Sequence, residues 1–170
     1  MTRIYFAGPD IFHPDFKQHR DHIHSLCAQA GLTPLTPGDT YLEDAHDIFT
    51  NNIKMVDQAD GLIANLDPFR GPVEPDSGTV FECAYAYARK KFVIAVVSDR
   101  RDILTKLKAA GAGPPDGSSG PCPDGYMVEN FGLPLNLMLS RSVTALAAGL
   151  EEAVEMARSL ATGGETQKGL

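Results

Sequence analysis

Two carboxylates in one short stretch of the chain have the setting of a catalytic pair. Residues 74–88 read EPDSGTVFECAYAYA, with Asp76 before a Ser-Gly step and Glu82 among apolar and small residues. A carboxylate that is buried without a partner is unfavourable, so such a residue is either satisfied locally or kept for chemistry. In the second case, a carboxylate held in an apolar wall can act as a nucleophile towards an electrophilic carbon.

Both carboxylates also have an ordinary structural interpretation. Thr79-x-x-Glu82 fits a capping box, in which the glutamate accepts a hydrogen bond from a backbone donor at the helix start. Asp76, which follows Pro75, fits a turn. Spacing alone leaves both interpretations of Glu82 open. Gly78 favours chemistry, because a residue without a Cβ lets the backbone approach a ligand closely.

Short apolar runs alternate with amphipathic segments along the chain, which predicts strands alternating with helices. This order implies right-handed crossovers and an α/β fold, a doubly wound, flavodoxin-like, five-stranded parallel sheet with helices on both faces. The predicted strands are residues 4–7, 32–35, 61–66, 92–97 and 142–146. The predicted helices are residues 15–30, residues 44–59, a segment containing Glu82, a segment beginning at Ser98-Asp99, and residues 147–160.

The length and composition predict one domain over residues 1–160. Residues 111–125 are rich in Gly and Pro and are predicted to form a flexible loop. Residues 161–170 are predicted to form a polar tail.

Ligands of such a sheet bind beyond the carboxyl ends of its strands. This rule selects residues 8–13, residues 67–78 and the stretch after the fourth strand, so the architecture points to the same segment as the two carboxylates. Phe12 and Phe69 follow the first and third strands, where they either sandwich a base or pack in the core. Arg70 contacts either a base or solvent.

The charge balance and the cysteine count exclude several classes of function. The chain has 15 Lys+Arg against 22 Asp+Glu and a formal net charge of -7, which argues against a nucleic-acid polymer as partner. Cys27, Cys83 and Cys122 contain no Cys-x-x-Cys pair, so a disulfide scaffold and a thiolate zinc site are disfavoured and a reducing cytoplasm is expected. The sequence predicts neither a signal peptide nor a membrane span.

Neither a metal nor a cofactor is predicted. Residues 19–24 read HRDHIH, but no further ligand motif accompanies these histidines, and a solvated helix face is the favoured interpretation. Gly8-Pro9 is not a phosphate loop, because the G-x-G-x-x-G pattern and a following Lys-Ser/Thr pair are both missing.

Five short motifs occur in the order and spacing of a known family. They are IYFAGP at 4–9, AD at 59–60, DPFRG at 67–71, DSGTVFE at 76–82 and GLPLNLM at 132–138. Through these motifs the chain resembles the nucleoside 2-deoxyribosyltransferases over residues 4–160, and it looks most like the branch with the AGP turn and the PFRG loop. The Asp-x-Gly-x-x-x-Glu element alone is a weak signal, whereas the combination is specific.

The resemblance implies a role for each matching residue. Glu82 matches the nucleophile that attacks the anomeric carbon and forms a covalent deoxyribosyl-enzyme, Asp76 matches the residue that holds the sugar hydroxyls, and Tyr5 matches the tyrosine that orients the nucleophile. Asn136 and Met138 match residues that reach into the neighbouring subunit's pocket, which implies a homo-oligomer built from dimers with shared active sites. The other predicted substrate-binding positions are Gly8, Asp10, Phe12, Asn52, Asp67, Phe69, Arg70, Ser77 and Gly78.

The predicted function is transfer of 2-deoxyribose between nucleobases by double displacement, as in a retaining glycosidase whose acceptor is a base instead of water. The predicted partners are small 2'-deoxynucleosides and nucleobases. Asn52 stands where some family members have an aspartate near the base, and an amide cannot donate an acid proton. One alternative is hydrolysis of 2'-deoxynucleoside 5'-monophosphates, although the neutral Asn136 expected at the 5' end favours free nucleosides. A less favoured alternative is a catalytically dead nucleoside-binding module.

Overall fold

The computed structural model of the protein describes residues 1–115, 118 and 120–163. These residues form five β-strands, six α-helices and one 3₁₀ turn. In chain order the elements are β1 (Arg3–Ala7), the 3₁₀ turn (Pro9–Phe12), α1 (Phe16–Ala30), β2 (Thr33–Leu35), α2 (Ala45–Gln58), β3 (Gly61–Asn65), α3 (Ser77–Ala88), β4 (Phe92–Val96), α4 (Ile103–Ala109), α5 (Leu137–Ser142), β5 (Ala145–Ala147) and α6 (Leu150–Ala161).

The described strands form one parallel sheet in the order β2-β1-β3-β4-β5. This is the doubly wound, flavodoxin-like arrangement that the alternation of strands and helices predicts. The strand order reverses between β1 and β3, and ligands of such sheets bind at the carboxyl ends on either side of this point. The loops after Ala7, Asn65 and Val96 therefore lie at one edge of the sheet, as predicted.

The sheet separates two hydrophobic cores. Tyr5 and Leu62 belong to the core shared with α2, α3 and α5, whereas Ile4, Phe6 and Ile63 belong to the core shared with α1 and α6. This division follows from the period of a strand, in which successive side chains point to opposite faces. Tyr5 consequently points towards the face on which α3 packs.

Local capping signals set the predicted helix limits correctly. α1 ends at Ala30 and is followed by Gly31, whose φ of 71° is in the left-handed region that favours glycine. α2 is preceded by Asp44, whose side chain accepts hydrogen bonds from the backbone nitrogens of His46 and Asp47. The predicted helix over 44–59 is therefore confirmed.

The segment after β4 differs from the prediction. α4 begins at Ile103 rather than at Ser98, because the side chain of Asp102 caps the helix and Ser98 instead donates two hydrogen bonds to Asp67. The last strand and helix also begin later than predicted, at Ala145 and Leu150. α5, a short unpredicted helix, includes Ser142 at the start of the predicted strand, and β5 continues to Ala147, the first residue of the predicted helix.

Parts of two further predictions lie outside the described residues. Residues 116, 117 and 119 of the predicted flexible loop and residues 164–170 of the predicted tail belong to this group. Pro121 of the predicted loop forms an isolated antiparallel bridge with Met127, which follows the loop. Of the helices in the described part of the chain, none has both the length and the apolar character needed to cross a membrane. All three cysteines lie in the described part and are unpaired.

Candidate active site

The amino end of α3 brings the two carboxylates to the carboxyl edge of the sheet. Asp76 is the N-cap of α3, and its side chain accepts a hydrogen bond from the backbone nitrogen of Thr79 at 2.9 Å. Glu82 lies in the second turn, beyond the position at which a glutamate closes a capping box. The capping interpretation of Glu82 is therefore wrong, and Asp76 is the residue that caps the helix.

Glu82 is partly buried and is held by a tyrosine from the first strand. The hydroxyl of Tyr5, which is wholly buried, donates a hydrogen bond of 2.6 Å to Oε1 of Glu82. These two residues are 77 positions apart in the chain. The bond fixes the orientation of the carboxylate, as the resemblance implies for the tyrosine that orients the nucleophile.

Burial raises the pKa of Glu82 to about 7. The hydrogen bond from Tyr5 opposes this shift, the negative charge of Asp76 adds to it, and a hydrogen bond from the Asn52 side chain opposes it. Burial, followed by the nearby charge of Glu82, also raises the pKa of the Tyr5 hydroxyl, which therefore keeps its proton and remains a donor. A carboxylate that ionises near neutrality in a dry setting is suited to nucleophilic attack.

Three residues surround the cap of α3, of which Ser77 and Gly78 are predicted site residues. Thr79, in addition to its backbone bond, donates its hydroxyl to Oδ2 of Asp76 at 3.0 Å. A Cβ built on Gly78 would lie 3.0 Å from Oδ2 of Asp76, a tight contact that would push this carboxylate away. Ser77, the first residue of α3, is exposed. The structure thus brings Tyr5, Asn52, Asp76 and Glu82 into one cluster.

Asp10 and Gly8 face the other side of the sheet. Oδ1 of Asp10 accepts a hydrogen bond from Nδ2 of Asn65 at 3.0 Å and lies 3.7 Å from Nε2 of His19 in α1. A Cβ on Gly8 would lie 2.3 Å from Oδ2 of Asp10 and 3.0 Å from Cβ of Asn65, so a larger residue would displace the Asp10 carboxylate. Both residues line a cavity against α1 and α6, on the face opposite Glu82.

Phe12, Phe69 and Arg70 form a stacked group at the same edge. The two rings lie 5.8 Å apart between centroids with an interplanar angle of 19°, and the guanidinium carbon of Arg70 lies 4.5 Å from the centre of the Phe69 ring. Phe12 is 64% exposed, which contradicts the core-packing alternative for this ring. The rings contact one another and do not leave a slot between them, since a base inserted there needs about 7 Å, twice a carbon contact distance.

Asp67 joins two loops of the edge. Its Oδ1 accepts hydrogen bonds from the backbone nitrogen and hydroxyl of Ser98, at 2.8 and 2.9 Å. Its own backbone nitrogen donates to Oδ1 of Asn65 at 3.1 Å. Asp67 therefore ties the loop after β3 to the loop after β4.

Asn136 and Met138 lie at the start of α5. The side chain of Asn136 caps this helix by accepting a hydrogen bond from the backbone nitrogen of Met138, and its amide donates to Oε1 of Glu129 at 2.7 Å. Met138 is 72% exposed. The contacts of Asn136 are thus with its own segment, and the exposed Met138 remains available to a neighbouring molecule.

The comparison with known sequences identifies the family. The sequence model of the nucleoside 2-deoxyribosyltransferases matches residues 4–138. This chain belongs to the nucleoside 2-deoxyribosyltransferase family. The match includes the Tyr5–Glu82 pair, the cap at Asp76 and the segment of Asn136.

The chain is also similar to solved structures and to one curated sequence. The chain is 36% identical to a 2-desoxiribosyltransferase from Leishmania mexicana, with a TM-score of 0.80 and coverage of 94% of this chain and 98% of that chain. A CMP N-glycosidase from Clostridium botulinum is 12% identical with a TM-score of 0.51 over 92% of this chain and 98% of that chain, which shows the fold alone. An uncharacterised protein of Schizosaccharomyces pombe is 29% identical over 115 residues, which are 62% of this chain and 54% of that relative. The chain thus spans about half the length of this curated relative.

Several residues of this family member that sequence reasoning missed hold the predicted ones in place. Thr79 binds Asp76, Asn65 binds both Asp10 and Asp67, and Glu129 binds Asn136. Lys106 of α4 is buried and donates from Nζ to the carbonyl oxygen of Pro134, just before Asn136. Burial lowers the pKa of Lys106. The sequence contains features that could have identified two of these residues. Thr79 belongs to an Asp-x-x-Thr helix cap, and Asn65 is a polar residue at the end of a buried strand.

The histidines of α1 have separate partners. His22 lies 3.1 Å from Glu151, and Nε2 of His24 lies 3.2 Å from the hydroxyl of Thr36. Over residues 1–115, 118 and 120–163, no group of three or more His, Cys, Asp and Glu side chains is placed to hold a metal ion.

Proposed function

We propose that this family member transfers 2-deoxyribose from one nucleobase to another by double displacement, with Glu82 as the nucleophile. The observation that carries the proposal is the hydrogen bond from Tyr5 to Glu82, which orients a partly buried carboxylate whose pKa is raised to about 7. A residue with this setting is ionised in a substantial fraction at neutral pH and is weakly solvated, and both properties favour attack on carbon.

In the first displacement, a carboxylate oxygen of Glu82 forms a bond to the anomeric carbon on the face opposite the base. The bond between that carbon and the base nitrogen breaks, its electron pair stays on the base, and the base takes a proton from solvent. In the second displacement, a nitrogen of the incoming base attacks the same carbon, loses its proton to solvent and releases Glu82. Two inversions leave the new base on the original face of the sugar.

The neighbouring residues have separate tasks in this scheme. Asp76 holds a hydroxyl of the sugar, since a positioned hydrogen bond keeps the anomeric carbon in line with Glu82. Asn52, whose side chain lowers the pKa of Glu82, stands where some family members have an aspartate near the base. Its amide can donate a hydrogen bond to the base but no acid proton. The apolar neighbours of Glu82 keep water away from the deoxyribosyl ester, which water would hydrolyse.

Free nucleosides fit the site better than their 5'-monophosphates. The resemblance puts Asn136 at the 5' end of the sugar, and the carboxylate of Glu129 accepts hydrogen bonds from the Asn136 amide and from the backbone nitrogen of Leu137, at 2.7 and 2.9 Å. A carboxylate beside a dianionic phosphate is unfavourable, whereas phosphate sites are rich in cationic side chains or free backbone donors.

We also infer a homo-oligomer built from dimers, in which Asn136 and Met138 complete the neighbouring subunit's pocket. Large apolar side chains are exposed on this part of the surface, which favours contact with another chain. They are Tyr126, Met127, Phe131 and Met138.

The direct test is base exchange between a 2'-deoxynucleoside and a second free base, followed by chromatography, with mass spectrometry of the enzyme trapped on its substrate. The expected results are a new nucleoside and a deoxyribosyl adduct on Glu82. Release of free sugar phosphate from a 5'-monophosphate without a new nucleoside would instead identify the hydrolase. Tight binding of nucleosides without any turnover would identify the binding module.

The shared site has its own test. Glu82→Ala chains and Asn136→Ala chains, each inactive alone, are unfolded together and refolded, so that hybrid dimers form. A hybrid contains one pocket with both residues intact, and we expect part of the activity to return. Hybrids that form and stay inactive would mean that each pocket is built from one chain.

A further inference from the structure

We propose that Thr79 is a positioning residue that aims Asp76 at the 3'-hydroxyl of the sugar. The inference rests on the proposed function, in which Asp76 holds the sugar. The observation is that both donors of Thr79 converge on one atom, because its backbone nitrogen and its hydroxyl bind Oδ2 of Asp76 at 2.9 and 3.0 Å. Within the described residues, Oδ1 of Asp76 accepts no hydrogen bond from protein.

The same sequence pattern behaves differently at α4. Asp102 and Thr105 also form an Asp-x-x-Thr cap, but the backbone nitrogen of Thr105 binds Oδ1 at 2.9 Å and its hydroxyl binds Oδ2 at 2.6 Å. Both oxygens of Asp102 are thus occupied by the cap. The cap at α3 satisfies its helix with one oxygen and leaves the other for a ligand.

The carboxylate of Asp76 lies near the proposed nucleophile. The charge of Asp76 contributes to the raised pKa of Glu82, which places the two carboxylates in electrostatic contact. A 2'-deoxynucleoside offers two sugar hydroxyls, and the proposed function assigns the 5'-hydroxyl to Asn136. The 3'-hydroxyl, on the ring that Glu82 attacks, is therefore the donor that Oδ1 of Asp76 accepts.

The burial of Thr79 fixes this arrangement. Its side chain is 2% exposed, so the hydroxyl has no competing solvent and keeps its bond to Oδ2. Removal of the hydroxyl leaves a single backbone donor, about which the carboxylate of Asp76 can turn. The substrate then loses a preformed acceptor, and an interaction strengthened in the transition state weakens.

The experiment compares two substrates in the wild type and four variants. The substrates are the 2'-deoxynucleoside that the wild type turns over fastest and its 2',3'-dideoxy counterpart, with one acceptor base. The proteins are the wild type, Thr79→Val, Thr79→Ser and the matched control Thr105→Val. Thr79 is buried, so Thr79→Ala is prepared as a second variant without the hydroxyl. The ratio of kcat/KM for the two substrates is measured in whichever of Thr79→Val and Thr79→Ala keeps the wild-type circular dichroism.

We expect loss of the Thr79 hydroxyl to lower kcat/KM for the 2'-deoxynucleoside by about tenfold. The kcat/KM for the dideoxy substrate should stay within about twofold of the wild-type value. The ratio of the two kcat/KM values, which measures the preference for the 3'-hydroxyl, should therefore fall by nearly tenfold. Thr79→Ser should stay within about threefold of the wild type, because it keeps the donor. Thr105→Val should lower Tm without changing the substrate ratio. A hydroxyl-free variant that loses Tm and keeps the wild-type ratio would overturn the proposal. Absence of base exchange in the wild type would instead overturn the proposed function.

Discussion

Helices α3 and α4 each carry one charged residue into the protein soon after an aspartate cap, and the two charges serve different purposes. Glu82 of α3 meets the Tyr5 hydroxyl, and burial raises its pKa to about 7. Lys106 of α4 meets the carbonyl oxygen of Pro134, and burial lowers its pKa. Burial disfavours the charged form in both cases. The lysine uses its charge to hold backbone in place, whereas the glutamate lies beside a second carboxylate at the edge where ligands bind.

The role of a buried charge depends on the groups that it contacts. The partner of Lys106 is a backbone oxygen that no reaction needs, so this charge is structural. The partners of Glu82 are a tyrosine hydroxyl, an amide and the carboxylate of Asp76, all of them side chains that can face a substrate. If the two regions have these different roles, substitutions around α3 should change activity, whereas substitutions around α4 should change stability alone.

Glu82→Gln should give the largest effect. The change removes the nucleophile and keeps its shape, so base exchange should fall by about 10³-fold or more while circular dichroism stays that of the wild type. The measurement is the steady-state rate of nucleoside formation. Glu155→Gln, an exposed glutamate paired with Arg158, is the control and should retain full activity. Exchange by Glu82→Gln at a rate near that of the wild type would remove Glu82 from the mechanism.

Asp76→Ala and Asp102→Ala separate the two caps. Each change removes a helix cap and should lower the free energy of unfolding by about 1 kcal/mol. Only Asp76→Ala should also lower kcat/KM, by about 10²-fold, because the sugar loses its acceptor next to the nucleophile. Unfolding in urea and initial rates measured on the same preparations provide both quantities. Equal losses of activity in the two variants would mean that the caps act only through stability.

Tyr5→Phe should change the pH profile. The wild-type kcat/KM should fall as the pH drops through about 7, because protonated Glu82 is not nucleophilic. The hydrogen bond from Tyr5 favours the charged carboxylate, so its removal raises the pKa of Glu82 and moves this limb to higher pH. At neutral pH the rate should fall by about tenfold. The control is Tyr41→Phe, which removes an equally short bond of 2.6 Å to the exposed Glu43. A limb that does not move in Tyr5→Phe contradicts the assignment.

Glu82→Gln should also change stability, in the direction opposite to its effect on activity. The ordinary pKa of a glutamate, 4.5, applies to the unfolded chain, whereas the pKa of Glu82 is about 7 in the folded protein, so the folded state binds the proton more tightly. Stability from this group is present below pH 4.5 and falls as the pH rises to about 7. At pH 8 the glutamine of Glu82→Gln should therefore raise the free energy of unfolding by about 1 to 3 kcal/mol. The upper value converts the whole pKa shift of Glu82 into free energy, and the lower value allows for solvent screening. Urea unfolding of both proteins at pH 5 and pH 8 measures this difference, which should shrink at the lower pH.

Local patterns were sufficient to predict most of the fold. The apolar runs at 4–7 and 92–97 have the composition of buried strands, and Gly31 and Asp44 are local signals that mark helix ends. The helix α5 escaped prediction because it is short and its cap depends on Asn136, which the resemblance had assigned to a substrate.

The candidate site was predictable only in part. The resemblance supplied Tyr5, Asp76 and Glu82, but the hydrogen bond between residues 77 positions apart depends on the pairing of β1 with β3 and the packing of α3. Local spacing favoured a capping box at Glu82 as much as chemistry, and only the true start of α3 decides between them. Asp10 lies on the opposite face because it contacts Asn65 and His19. No sequence motif predicts these contacts.

The stacked pair of Phe12 and Phe69 has a consequence for the order of events in a turnover. The rings are 5.8 Å apart, so a planar base that inserts between them has to displace one ring first. Phe69 is anchored by a backbone hydrogen bond to Glu74 and covered by Arg70, whereas Phe12 is 64% exposed. Phe12 is therefore the ring that can rotate away from the stack. If a base binds between the two rings in the proposed double displacement, Phe12 has to rotate away twice in each turnover, once for the departing base and once for the incoming base.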